Sequence, residues 1–234
     1  MNFDVALRWG EILMGCAFLQ QGAEHLIAPA NERWLYIPRM VLALLLIAGV
    51  QPPIIEALLL LFGMAILYRF QGPYNGGSDR MSLLLLFCLL MSRLAPTRQW
   101  QEIALGYLSV QLVLSYAISG GIKLSNPDWR SGQALKDVFE FSVYPVSESI
   151  RSLAKRPALL LGLSWILMLF ELLFPLALLD ATYLKGALAV AALFHLVNGC
   201  VFGLNRFLWI WIAAYPCLLW FQQRVNPGVF CSEF

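Results

Sequence analysis

ALLLGLSWILMLFELLFPLALL, residues 158–179, is apolar almost throughout and carries a single ionisable side chain, Glu171. A helix needs about 20 such residues to cross the hydrocarbon layer of a bilayer. Outward from this stretch, Leu42–Val50, Ile54–Leu67, Leu83–Met91 and Ala187–Val201 are shorter apolar runs of the same kind, each inside a longer candidate span. None of these runs alternates in polarity, as the strands of a membrane barrel do. Composition agrees: 60% of the residues are apolar and only 13% are charged, beyond what a soluble core of 234 residues can hide.

The expected fold is all-α: a polytopic membrane bundle of about eight transmembrane helices, one transmembrane domain over residues 1–234. The spans are placed at 5–27, 35–50, 53–70, 81–96, 103–123, 157–179, 184–202 and 207–223. Gln51, Pro52 and Pro53 alone join the second and third, because proline breaks a helix. Between the fifth and sixth spans, Gly132–Phe141 and Ser147–Ala154 read as short interfacial helices, with Val138, Phe139 and Phe141 as candidate buried residues. Trp34, Tyr36, Trp100, Tyr107, Trp129, Tyr144, Tyr183, Trp209 and Trp220 fall near span ends, where aromatic belts form. No internal repeat and no broken midplane helix suggests a transporter.

The net charge of +2 is spread along the chain, so no basic stripe points to nucleic acid. Cys16, Cys88, Cys200, Cys217 and Cys231 have no metal-ligand spacing, no metal site is expected, and most sit in apolar runs as small hydrophobes. Asp4, Arg8 and Glu11 interrupt the region where a cleaved signal peptide needs its apolar core.

With eight spans, the loops after the first, third, fifth and seventh share one face of the membrane. They hold nearly all the polar, glycine-rich sequence: Glu24-His25, Gly72–Arg80, Gly120–Trp129 and Asn198–Arg206. One decorated face implies one site. Its excess of Lys and Arg argues by the positive-inside rule for a cytoplasmic placement.

Ionisable groups at membrane depth are functional candidates. Lys123 follows a glycine pair at the end of an apolar span, where desolvation favours the neutral amine of a base; a lysine snorkelling to the headgroups is the alternative. Gln20, Gln21 and Glu24 share a helix face beside His25, as a ligand site or as interhelical hydrogen bonds. His195 and Asn198 lie one turn apart, and Glu171 can pair with a basic residue across the bundle. Tyr74–Asp79 reads as a turn, in which Asn75-Gly76-Gly77 invites positive φ and Asp79 starts the next helix.

Tyr116, Ile118, Gly120, Lys123, Leu124, Asp128, Trp129 and Gly132 occur in an order that resembles the membrane domain of the vitamin K-dependent γ-carboxylase family, the horizontally transferred transmembrane (HTTM) domain. More loosely, Gly72–Ser78 looks like the family's Asn-rich turn, and Phe194–Tyr215 like its penultimate helical hairpin. The resemblance implies that Lys123 is the base that deprotonates a quinol, and that the decorated face is extracytoplasmic, against the charge count. Glu24, His25, Asn75, Asp79, Asp128, Trp129, His195 and Asn198 are then the expected substrate-binding set around Lys123. Two departures stand out: Gly76 and Gly77 occupy the place of the family's histidine, and the large lumenal domain is missing, so a full γ-carboxylase is not expected. The chain resembles the short bacterial-type members, which implies a bacterial inner-membrane location.

Two functional readings follow. One is a non-catalytic membrane subunit or maturation factor, with other membrane or extracytoplasmic proteins as partners besides the lipid bilayer. The other is an oxidoreductase-like enzyme that takes a quinone or another lipid-soluble molecule as cofactor or substrate, with Lys123 as base.

Overall fold

The computed structural model describes residues 1–27, 33–69, 76–141 and 147–226. Asn75, Tyr74, Tyr144 and Cys231, all named above, lie outside the described residues. Among the described residues the regular structure is helical: α1 (Phe3–Ile27), α2 (Arg33–Ala48), α3 (Pro52–Arg69), α4 (Gly76–Leu94), α5 (Arg98–Ser125), α6 (Pro127–Arg130), α7 (Gln133–Phe141), α8 (Glu148–Arg151), α9 (Pro157–Leu173), α10 (Ala181–Phe202) and α11 (Asn205–Val225). Short 3₁₀ turns follow α8 and α9. Each of the eight stretches read as a span is helical over most of its described residues. Four helices, Pro52–Arg69, Arg98–Ser125, Pro157–Leu179 and Ala181–Phe202, are long and apolar enough to cross a membrane by length and composition.

The residues group into two compact units, Met1–Val110 with Arg206–Phe234, and Gln111–Asn205. In the first, α1 packs along α2 and α3 along α4, around Leu7, Met14, Phe18, Leu46, Leu59 and Leu89. Gly49 and Gln51 take positive φ (75° and 42°) in the turn between α2 and α3, and Pro52 opens α3, where no amide hydrogen is required. In the second unit, Phe139 of α7 and Phe202 of α10 meet at 5.3 Å between ring centroids, over Leu160 and Ala154. Asp180 caps α10 by accepting from the amides of Thr182 and Tyr183, and these bonds hold its carboxyl below the usual range.

Polarity inside these helices is inverted relative to a soluble protein. On α9 the exposed positions include Leu159, Leu163, Ile166, Leu169 and Leu173, whereas the buried ones include Ser164 and Glu171. On α3 Ile54, Leu58, Leu61 and Met64 face outward and Glu56 faces inward. An apolar rim around polar interior groups is stable only where the surrounding solvent is hydrocarbon. The chain is an integral membrane protein.

Three expectations change. Gly76 and Gly77 are helical, not a left-handed turn, since α4 begins at Gly76; the Phe207 ring lies where a Gly77 side chain would go. Tyr36 and Trp220 are buried instead of belonging to an aromatic belt, because His25 stacks on Tyr36 and Phe3 meets Trp220 edge-on. Val138 and Phe141 are exposed, and of the three candidates on α7 only Phe139 is buried.

Candidate functional site

Tyr116, Ser119 and Lys123 lie at spacings of three and four residues on α5, so their side chains leave one face of the helix. Lys123 Nζ is 2.5 Å from Glu171 Oε2 and donates to Ser119 Oγ at 2.6 Å. The pair is largely enclosed, with side-chain exposures of 17% for Lys123 and 5% for Glu171. The Lys123 ammonium is turned toward α9. The Trp129 ring centroid lies 5.3 Å from the same ammonium, within range of a cation–π attraction.

Local sequence explains how these groups converge. Asn126 caps α6 through its side chain, with Pro127 in the first helical turn. Ser164 Oγ then donates to the Trp129 carbonyl at 2.5 Å, and Trp165 Nε1 donates to the Arg130 carbonyl at 3.2 Å. These two bonds tie α6 to α9 and set Trp129 beside Lys123. Asp128 is not part of the cluster. It is exposed in the first turn of α6, a favourable place for a negative charge; its amide donates to Asn126 Oδ1 and its carbonyl accepts from Ser131 Oγ.

Two turns back along α5, Tyr116 Oη is 3.0 Å from His195 Nε2. The phenol ring stacks on Phe174 at 4.2 Å and meets Phe170 edge-on at 6.3 Å. His195 is buried by this aromatic layer. Asn198, one turn further along α10, does not share that contact. It lines an apolar cavity of ≈ 270 Å³ bounded by Phe139, Phe170, Phe194 and Phe202.

In the other unit, Glu24, His25 and Asp79 lie within a polar group at the ends of α1, α2, α4 and α11. Gln20 Nε2 donates to Glu24 Oε1 at 2.5 Å. His25 stacks on Tyr36 at 3.7 Å and approaches Arg206 Nη2 through Nε2 at 2.9 Å. Arginine only donates, so Nε2 is the acceptor and Nδ1 carries the proton, which it gives to the Gln21 carbonyl at 3.0 Å. Arg39, almost fully buried, donates to Gln21 Oε1 at 2.6 Å and lies over the Phe18 ring at 3.9 Å. Asp79 is buried too, and Arg206 and Arg39 supply the positive field that its burial demands. Neither Arg39 nor Arg206 is singled out by the sequence. Arg39 carries a usable signal, an ionisable group inside an apolar run; the signal for Arg206 is only its place at the end of the polar stretch Asn198–Arg206.

Among the described residues no group of His, Cys, Asp and Glu is arranged to hold a metal ion. The family model described as the HTTM domain matches residues 91–223, more than half of the chain. The matched region includes Lys123, Asp128, Trp129, Glu171, His195 and Asn198, but not Glu24, His25, Asn75 or Asp79. No curated protein and no solved structure matches the chain.

Proposed function

The chain belongs to the HTTM family, and on that premise we propose that it is a non-catalytic component of a membrane complex, a subunit or maturation factor, in which Lys123 is the internal counter-ion of Glu171. The observation that carries this reading is the placement of Lys123 Nζ within 2.5 Å of Glu171 and 2.6 Å of Ser119. A general base must present a lone pair to its substrate. An ammonium that donates two of its three protons to a carboxylate and a hydroxyl has no lone pair to present. Eight helices crossing as one membrane domain would bring both termini to one side, and the family resemblance favours a bacterial inner membrane with the decorated loops outside. Partners are then membrane or extracytoplasmic proteins that dock on those loops. Exchanging the two charges, Lys123→Glu with Glu171→Lys, tests the reading: a counter-ion pair survives the exchange, a base does not.

A second reading has its own support. The cavity beside Phe170 and Phe194 is apolar, opens near the Tyr116–His195 pair, and offers Asn198 as a polar handle. Pockets of that character take a ring-bearing lipid-soluble molecule. An oxidoreductase-like enzyme acting on a quinol, with Lys123 as base, would use it. Extraction of the purified protein with organic solvent tests this: a stoichiometric quinone lost on Phe194→Ala supports binding, and lipid alone argues against it.

A further inference from the structure

Glu56 sits in the second turn of α3, fully enclosed, and among the described residues neither carboxyl oxygen has a hydrogen-bond partner. It shares the inward face of the helix with Leu59 and Gly63. Glu11 of α1 is equally buried but fully engaged. Its Oε2 accepts from Arg8 Nη1 at 2.8 Å, and its Oε1 accepts from Arg93 Nε at 2.7 Å and Nη2 at 2.6 Å. Arg8 is committed further, because it donates to the carbonyls of Leu46 and Ile47 at the end of α2.

The charged groups whose fields reach Glu56 are therefore Glu11 from α1 and Arg93 from α4. The other helix packed on α3 is α2, and it has no ionisable side chain between Arg39 and its C-terminus. An ionised carboxylate stripped of water and of donors is strongly disfavoured. An undissociated acid in the same place avoids most of that cost. Among the described residues Arg93 of α4, the helix packed along α3, is the cation whose field reaches Glu56, so it is the group that would stabilise the ionised form on loss of the proton.

We propose that Glu56 is a proton-binding site within the membrane-embedded part of the chain, occupied in the arrangement seen and emptied when Arg93 is shared between Glu11 and Glu56. On release the O–H bond of the carboxyl breaks, the proton passes to water or hydroxide, and the carboxylate left behind is held by the Arg93 guanidinium. The ligand is the proton itself, and the site shares no residue with the Lys123–Glu171 pair.

Infrared spectroscopy of the full chain in bilayer nanodiscs, titrated over pH, tests this. The wild-type protein should show the carbonyl stretch of an undissociated carboxylic acid, absent from Glu56→Gln. That band should disappear reversibly at alkaline pH as carboxylate bands grow. Glu56→Met, apolar and of similar volume, should show the same loss and serves if the Gln variant does not fold. Glu11→Gln frees Arg93 and removes a like charge, so the Glu56 band should vanish at lower pH than in the wild type. Identical spectra for wild type and the Glu56 variants would overturn the proposal, because Glu56 would then be ionised. So would a band that persists until the protein unfolds, which marks a static acid, and an unmoved midpoint in Glu11→Gln would overturn the role of Arg93.

Discussion

A methyl group placed on the α-carbon of Gly120 would stand 2.5 Å from the backbone nitrogen of Leu172. It would also lie 2.9 Å from the Leu172 α-carbon, so α5 and α9 meet backbone to backbone, one residue from Glu171. This contact is what lets Lys123 span the short gap to the carboxylate.

Gly120→Ala is accordingly expected to push the two helices apart. The cost should be about 1–3 kcal/mol, the usual range for overpacking. Gly121, which has nothing within 4 Å of an added methyl group, is the internal control. Gly121→Ala should leave stability unchanged or slightly raised, since alanine is the better helix former. Denaturant unfolding in detergent measures both.

The Tyr116–His195 contact is buried among Phe170 and Phe174. Tyr116→Phe keeps the ring stacking and removes the hydroxyl, with an expected loss of about 1–2 kcal/mol. A double-mutant cycle with His195→Ala should give a coupling above about 0.5 kcal/mol. Additive losses would show that the two side chains do not interact.

How much of this was legible in the sequence depended on how local the signal was. The helices follow from apolar runs closed by Pro52, Pro157 and Asp180, each acting within a few residues. The start of α4 was misread because Gly76-Gly77 is local punctuation in most settings, whereas here the Phe207 ring of another helix occupies the space a side chain would fill. Glu171 is legible as a group able to pair with a basic residue across the bundle, and Lys123 as an ionisable group at the end of a span, whereas nothing singles out Ser119. Which partners these groups would meet was not recognisable, because the pairing depends on how α5, α9 and α10 pack. Tyr36 and Trp220 show the same limit: nothing local distinguishes a belt aromatic from one covered by His25 or Phe3.

Asp180 should make one edge of the second unit acid-sensitive. Its carboxyl is held below the usual range by the Thr182 and Tyr183 amides. The cap therefore contributes fully above the unfolded value of about 4, and its contribution is lost as pH falls through the lowered folded value. Asp180→Asn, which caps without titrating, should flatten the acid limb of a plot of melting temperature against pH. An unaltered limb would assign the acid sensitivity to other carboxylates.

Membrane topology offers a separate check. If all eight long helices cross, reporters fused after Phe234 and inserted near Gly76 should report opposite sides of the membrane. The orientation favoured here places the Gly76 reporter outside. Both reporters on one side would contradict the span count, and the reverse orientation would contradict only the assignment of faces.

The Lys123–Glu171 pair is the centre of the account, and charge exchange probes it most directly. Removing one partner, by Lys123→Ala or Glu171→Ala, leaves a charge enclosed without its counter-ion and should cost about 3–5 kcal/mol. Lys123→Arg should be tolerated, because guanidinium keeps both the charge and the hydrogen bonds. The measurement is unfolding stability, together with recovery of co-purifying partners, for Lys123→Glu, Glu171→Lys and the two combined. A counter-ion pair predicts that each single reversal is severely unstable and that the double reversal recovers most of the stability and the partners. A stably inserted double reversal, or a stable Lys123→Arg, that has lost all function would contradict it and make Lys123 a base.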